Sequence, residues 1–159
     1  MSQRSDQFLD LVRQRVTIYD GAMGSTILDL GLDASGYGGI EGCNEYLVFQ
    51  NPALIEAVHA SFLEVGVDVI ETDTFGGNRL KLEEYGLGER TYEQNRTAAE
   101  LARRLADRFS TSDHPRFVAG AIGPSGFLPA SEDPLLGDVR FGEVVELFLD
   151  QVRGLVDGG

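Results

Sequence analysis

The feature that most constrains this chain is a repeated change of hydrophobic periodicity between short apolar runs and longer amphipathic stretches. Short runs rich in β-forming residues occur at 16–19, 67–70 and 116–121. Stretches with apolar residues at helical spacing occupy 5–15, 52–65, 79–85, 91–109 and 141–155. Strands that alternate with helices pair in parallel through crossover connections. The sequence therefore predicts an α/β fold with an N-terminal helix followed by three strand–helix units.

The ends of two predicted helices carry their own signals. Asn51 is a good N-cap, Pro52 suits a first helical turn, and Gly66 suits the helix end. Thr91 and Gln94 have the spacing of a capping box at the next helix. The glycine-rich segment 31–42 and the segment 125–140 are predicted to be long loops.

Polar segments follow the predicted strands. Asp20, Gly21 and Ala22 come after the first strand, and Glu71 to Thr74 come after the second. Ligands of α/β proteins bind at this carboxyl edge of the sheet. Asp20 could meet a cationic group while turn amides hold an anion, a pairing that suits an amino acid. The alternative interpretations are a plain Asp-Gly turn and a solvated loop.

Two residue types that often make metal or nucleophilic sites are scarce. The chain has one cysteine, Cys43, and two histidines, His59 and His114. Zinc sites need three or four such ligands at characteristic spacings, so no metal site is predicted. Cys43 is interpreted as a buried small apolar residue, and His59 as a packed or surface helix residue. A lone cysteine also fits a reducing compartment.

The charge balance excludes two classes of partner. The chain has 159 residues, with 13 Lys and Arg against 26 Asp and Glu, a formal net charge of −13. Such a chain is not expected to bind nucleic-acid backbone or an anionic membrane surface. No signal peptide and no apolar run of about 18 residues is seen, so the expected location is cytoplasmic.

Four ordered motifs carry a family resemblance: 19–25 (YDGAMGS), 42–47 (GCNEYL), 70–78 (IETDTFGGN) and 118–124 (VAGAIGP). Together they resemble the homocysteine S-methyltransferase family, and within it the homocysteine-binding module of cobalamin-dependent methionine synthases. The resemblance covers residues 15–159 and leaves residues 1–14 as an N-terminal helical extension. It implies a (β/α)₈ TIM barrel, of which this chain would hold about the first three βα units, an incomplete domain.

The resemblance implies methyl transfer to the thiolate of homocysteine to form methionine. Asp20, Gly21 and Ala22 would bind the amino-acid end of homocysteine, whereas Asn44, Glu71 and Asp73 would line the barrel mouth. Family members often have Asn where this chain has Asp73. The family's zinc is held by three cysteines that lie in the second half of the barrel, outside this chain. In the intact enzyme the methyl group would come from methylcobalamin and methyltetrahydrofolate.

The implied partners are homocysteine, the remaining half of the barrel, and folate-binding and cobalamin-binding domains. On this interpretation the 159-residue chain alone is expected to be inactive. One alternative is a homocysteine methyltransferase that uses betaine or S-methylmethionine. Another is a non-catalytic α/β binding module that self-associates through an unpaired strand edge.

Overall fold

A computed structural model describes residues 3–126 and 139–159 and shows an α/β fold. Its helices are α1 (Gln3–Gln14), α2 (Met23–Asp29), α3 (Leu47–Gln50), α4 (Pro52–Val65), α5 (Arg79–Glu83), α6 (Thr91–Phe109) and α7 (Phe141–Gly158). Its strands are β1 (Val69–Glu71) and β2 (Phe117–Ala119), and single 3₁₀ turns lie at Asn44–Tyr46 and Gly88–Arg90. The predicted α/β class is confirmed.

The sheet is parallel, and β1 is its central segment. Val69 of β1 pairs with Phe117 of β2, and the register continues to Glu71 opposite Ala119. On the other side of β1, Tyr19 forms a parallel bridge with Val69. The backbone N–H of Asp20 donates to the Val69 carbonyl at 2.9 Å. The carboxyl ends of all three segments therefore meet at one edge.

The first predicted strand, 16–19, is wrong as a strand, because this segment forms only the single bridge at Tyr19. Val16 and Ile18 are 83% and 55% exposed, so no packing holds the segment extended on its outer side. The other two predicted strands are present but shorter than predicted, which leaves two strands rather than three in the described residues.

The helix signals were partly right. Helix α4 has the predicted bounds, and the Asn51 side chain accepts the Leu54 N–H at 3.3 Å. The capping box is wrong: the Thr91 hydroxyl donates to the Gly88 carbonyl, and the Gln94 side chain donates to the Glu45 carbonyl instead. Helix α2 was not predicted. Residues 127–138 of the predicted loop 125–140 lie outside the described residues.

The apolar core lies between β1 and the helices α4 and α6. Its largest members include Ile55, Leu63, Ile70, Leu101 and Leu105. Helix α7 packs along α6 through two glycines, Gly154 and Gly158. A Cβ atom added to Gly154 would lie 2.5 Å from the Tyr92 carbonyl oxygen. This close approach of the two helices is open only to glycine.

A charged cluster holds α1 at the amino end of β1. The Asp68 side chain is 1% exposed. Its two carboxylate oxygens accept hydrogen bonds from the two terminal nitrogens of Arg15, at 2.9 and 2.5 Å. It also accepts the Ile18 N–H at 2.9 Å and lies 2.9 Å from His114 Nε2. The predicted N-terminal helix thus packs at the edge of the sheet opposite the carboxyl ends. No helix in the described part of the chain is both long enough and apolar enough to cross a membrane.

Candidate functional site

A cleft of about 340 Å³ opens at the carboxyl edge of the sheet. It lies where the chain leaves the Tyr19 bridge, β1 and β2. All six residues predicted as substrate-binding line it: Asp20, Gly21, Ala22, Asn44, Glu71 and Asp73. The structure therefore brings the predicted set together, and their role in binding stays a prediction.

Asp20 is one of two acids in the cleft with a buried side chain, which is 4% exposed. One carboxylate oxygen, Oδ1, accepts the backbone N–H of Glu71 at 2.8 Å. The other oxygen, Oδ2, lies 4.0 Å from Nδ1 of His59. Burial raises the pKa of Asp20 to about 6, although the Glu71 N–H favours the charged form. Above that pH Asp20 is a carboxylate, a group that can pair with an ammonium ion.

The turn after Asp20 is strained at one residue. Ala22 has φ 56° and ψ 25°, the left-handed conformation that non-glycine residues seldom adopt. Such a conformation costs of order 1–3 kcal/mol and persists only where the surroundings impose it. Here it brings Gly21 and Ala22 to the wall of the cleft before α2 begins at Met23.

Glu71 and Asp73 both line the cleft, but in different environments. Glu71 is exposed, whereas Asp73 is 5% exposed and its Oδ2 atom has no hydrogen-bond partner within the described residues. Burial, reinforced by the nearby Glu45 carboxylate, raises the pKa of Asp73 to about 8. Asp73 is therefore a neutral carboxylic acid at pH 7, with a proton to donate.

Behind the cleft, the hydroxyls of Thr72 and Thr74 close a ring of hydrogen bonds with Ala121. The Ala121 N–H donates to Thr72 Oγ1 at 3.0 Å, and Thr74 Oγ1 donates to the Ala121 carbonyl at 2.7 Å. The two hydroxyls are 2.6 Å apart. Because the Thr74 proton is already used, Thr72 must be the donor between them. The ring joins the ends of β1 and β2 and fixes the floor of the cleft.

Sequence reasoning missed three residues at this site. Glu45 lines the cleft and accepts the Gly76 N–H at 2.6 Å. Phe75 also lines it and is 64% exposed, an apolar surface beside the acids. His59, predicted as a packed or surface histidine, is fully buried behind Asp20. Glu45 and Phe75 belong to the 42–47 and 70–78 motifs, and that membership is the signal that could have found them.

The residues present do not fit the zinc centre that the resemblance implies. That centre needs three cysteines, and this chain has only Cys43. Cys43 is fully buried, and burial raises the pKa of its thiol to about 11, so it is not a thiolate at neutral pH. No group of three or more His, Cys, Asp or Glu side chains within residues 3–126 and 139–159 is arranged to hold a metal ion.

The fold and the cleft together define an α/β protein with a polar ligand site at the carboxyl edge of a parallel sheet. A family model described as Homocysteine S-methyltransferase matches residues 17–159. The chain therefore belongs to the homocysteine S-methyltransferase family. This confirms the resemblance that was inferred from the four motifs.

Two curated relatives are methionine synthases. The protein from Mycobacterium leprae is 35% identical over 157 residues, and that from Mycobacterium tuberculosis is 34% identical over 151 residues. The alignments cover 99% and 95% of this chain. They cover only 13% and 12% of the relatives, so the chain spans about an eighth of their length.

Solved structures support the fold. The homocysteine methyltransferase MmuM from Escherichia coli matches in its oxidised form with a TM-score of 0.71 and in its metallated form with 0.72. Each match has 19% sequence identity and covers 94% of this chain. The matches span 52% and 53% of the MmuM chains, so the likeness extends over about half of each.

Proposed function

We propose that this chain supplies the homocysteine-binding face of an enzyme that methylates homocysteine to methionine. The observation that carries the proposal is the buried Asp20 carboxylate, held by the Glu71 N–H at the wall of a cleft that all six predicted residues line. Family membership and methionine synthase relatives support the choice of substrate. The acceptor atom of the reaction is the sulfur of homocysteine.

Asp20 is the proposed partner of the homocysteine ammonium group. Its pKa of about 6 makes it anionic at pH 7, and its burial strengthens an ion pair relative to one in water. The turn at Gly21 and Ala22 is the proposed partner of the α-carboxylate, because successive backbone amides in a turn that includes a left-handed residue can form a concave anion site. The two ends of the zwitterion are thus recognised on one loop.

Three other residues that line the cleft are proposed to contact the side chain of the substrate. Phe75 offers apolar surface to the methylene groups, and the neutral acid Asp73 and the amide of Asn44 offer hydrogen-bond donors. The side-chain oxygen of Asn44, Oδ1, already accepts a hydrogen bond from the Tyr37 hydroxyl at 3.1 Å, which leaves the side-chain NH₂ group as the donor. These contacts would place the sulfur at the open side of the cleft.

The proposed architecture is the first part of a (β/α)₈ barrel, with residues 1–14 as a helical extension and 15–159 in the barrel domain. The parallel register of β1 and β2 and the cleft at their carboxyl ends support it. In the whole enzyme, zinc would be held by cysteines from outside this chain. Cobalamin, charged from methyltetrahydrofolate, would be the methyl-carrying cofactor.

Binding of two thiol ligands to the purified chain tests the proposal. L-Homocysteine and 4-mercaptobutanoate, which lacks only the amino group, are titrated by calorimetry under reducing conditions at pH 7.5. We expect homocysteine to bind at least roughly 10-fold more tightly, since a hydrogen-bonded ion pair to a charged group contributes about 1.5–3 kcal/mol. Asp20→Asn should abolish this preference while leaving the weak binding of 4-mercaptobutanoate in place.

Asp29→Asn is the matched control, because Asp29 is an exposed aspartate on α2 and does not line the cleft. It should bind both ligands as the unmodified chain does. Equal affinity of the unmodified chain for the two thiols, or no binding of homocysteine up to about 10 mM, would contradict the proposal.

A further inference from the structure

His59 is the buried titratable group that the proposed function leaves without a role. It lies on α4, is 0% exposed, and neither ring nitrogen has a hydrogen-bond partner in the described part of the chain. A neutral imidazole carries one N–H group, and a buried N–H without an acceptor costs of order 1–3 kcal/mol. A fully buried histidine with both nitrogens unpaired therefore needs an explanation.

One acceptor close to the His59 ring lies at the cleft. Nδ1 of His59 lies 4.0 Å from Oδ2 of Asp20, on the side of the carboxylate that the Glu71 N–H does not contact. Normal N–H···O distances are 2.7–3.2 Å, so a movement of about 1 Å closes the bond. The carboxylate would then be held from both sides.

We propose that His59 is the positioning residue of the cleft, and that its Nδ1–H donates to Oδ2 of Asp20. The protonation states agree with this assignment. Burial lowers the pKa of His59 to about 4, so the ring is neutral at pH 7 and has a single donor. Asp20 is ionised at the same pH and can accept it. For its consequence in homocysteine binding, the inference rests on the proposed function of Asp20.

The consequence of this hydrogen bond is a fixed orientation of the Asp20 carboxylate. With Glu71 N–H on Oδ1 and His59 Nδ1–H on Oδ2, the carboxylate plane is fixed, and each oxygen keeps a lone pair that these two donors do not use. Without the second donor, the carboxylate could rotate and its charge would be less well solvated. Loss of the His59 donor is therefore expected to raise the pKa of Asp20 further.

The tautomer of His59 is a direct test that needs no substitution. Long-range ¹H–¹⁵N spectra of the labelled chain at pH 7 distinguish a protonated Nδ1 from a protonated Nε2. We expect the proton on Nδ1 and a bare Nε2. A spectrum with the proton on Nε2 would overturn the proposal, because Nε2 is not the nitrogen that faces Asp20.

Three substitutions separate positioning from packing. In His59→Asn the side-chain amide occupies the place of Nδ1, in His59→Gln it occupies the place of Nε2, and His59→Leu removes both. The pKa of Asp20 is read from its ¹³C carboxyl resonance. We expect it to rise by about 1 in His59→Leu and His59→Gln and to stay within about 0.3 in His59→Asn. An unchanged Asp20 pKa in all three would contradict the proposal.

The spectroscopic result stands apart from homocysteine binding. If homocysteine fails to bind but the Nδ1 tautomer and the Asp20 titration appear as expected, the proposed function fails and the positioning role of His59 stands. If homocysteine binds and the Nε2 tautomer is seen, the positioning role fails alone. Where both hold, His59→Leu should weaken homocysteine binding roughly 10-fold relative to His59→Asn.

Discussion

Gly158 of α7 lies against the carbonyl oxygen of Arg96 on α6, so closely that an added Cβ atom would be 2.5 Å from that oxygen. The same Cβ would lie 2.7 Å from the Ala99 side chain. Gly154, one turn earlier, makes the equivalent approach to the Tyr92 carbonyl at 2.5 Å. Two glycines on one helical face therefore set the distance between α6 and α7.

Gly154→Ala and Gly158→Ala are expected to destabilise the protein. Overpacking a close contact with one methyl group costs about 1–3 kcal/mol, which exceeds the roughly 1 kcal/mol that alanine gains over glycine in a helix. Gly142→Ala is the matched control, because it lies in the first turn of the same helix with nothing within 4 Å of the added Cβ. Urea denaturation should show a lower midpoint for the first two variants and an equal or higher one for the control.

The Asp68 cluster predicts a specific loss of stability in acid. Burial opposes the charge of Asp68, but hydrogen bonds from Arg15, the Ile18 N–H and His114 hold its pKa at about 2. Because the pKa is lower in the folded state, the stabilisation is complete above about pH 4 and is lost as the pH falls towards 2. Asp68→Asn should cost about 1–3 kcal/mol at pH 7 and progressively less below pH 4.

Denaturation of both proteins between pH 2 and 7 measures this difference. Asp113→Asn is the control, since Asp113 is exposed and its Oδ1 accepts the hydroxyl of its neighbour Ser112. A constant difference between the unmodified chain and Asp68→Asn across this range would contradict the assignment.

The raised pKa of Asp73 predicts that stability falls as the pH rises, the opposite of the pH dependence expected from Asp68. Its pKa is raised to about 8 in the folded protein, so the unfolded chain binds fewer protons between about pH 4 and 8. Stability therefore falls with rising pH over this range, and Asp73→Asn should remove that fall. A change of one in a pKa corresponds to about 1.4 kcal/mol, so the variant should gain at least that relative to the unmodified chain between pH 4 and pH 8.

Thermal unfolding of the two proteins at pH 4 and pH 8 gives the comparison. The pH 4 measurement is the internal control, because Asp73 is then protonated in the folded state and any difference reflects packing alone. Asp20 titrates in both proteins, so its contribution cancels in the stability difference between them. A stability difference that does not change with pH would show that Asp73 is ionised in the fold.

The threonine ring predicts coupled substitutions. Thr74→Val keeps the shape of the side chain but removes the 2.7 Å bond to the Ala121 carbonyl, which retains a longer 3.5 Å hydrogen bond from Gln151 Nε2, and it leaves the Thr72 proton unpaired, at a cost of about 1–3 kcal/mol. Thr72→Val should cost a similar amount, because it leaves the Ala121 N–H without its acceptor. Because both residues belong to one ring, the double variant should cost less than the sum by at least about 0.5 kcal/mol.

Equilibrium denaturation of the four proteins completes this double-mutant cycle. Thr97→Val, a half-buried threonine on α6, should change stability by no more than about 0.5 kcal/mol. Strict additivity of the two ring substitutions would mean that the hydroxyls act independently, and the ring assignment would be wrong.

The sequence predicts the carboxyl-edge residues well, because the rule that places them depends only on the order of elements. Asp20, Glu71 and Asp73 follow apolar runs, and parallel pairing brings those ends together. Helix α4 is equally predictable, since Asn51, Pro52 and Gly66 mark its ends locally. Helix α2 is not, because Gly24, Ser25 and Thr26 are weak helix formers and the helix starts from a strained Ala22.

Relationships between distant residues were out of reach. His59 reads as a packed or surface helix residue because Asp20, whose carboxylate lies 4.0 Å from its ring, is far away in the sequence and approaches it only in the folded chain. The segment 16–19 has strand composition, but its outer side is exposed and only Tyr19 pairs. The Thr91 and Gln94 pattern fits a capping box, but the Gln94 side chain is drawn to the Glu45 carbonyl.

The ring formed by Thr72, Thr74 and Ala121 has a consequence for how the family's sequences change over time. A chain that loses the hydroxyl at one of the two threonine positions gains less from the hydroxyl at the other, which then keeps its bond to Ala121 but not the bond between the two threonines. Substitutions at 72 and 74 should therefore occur together more often than by chance, whereas the ring constrains only the backbone at position 121. The residue at position 73, which lines the cleft, should vary with the ligand that the protein binds and not with the residues at 72 and 74.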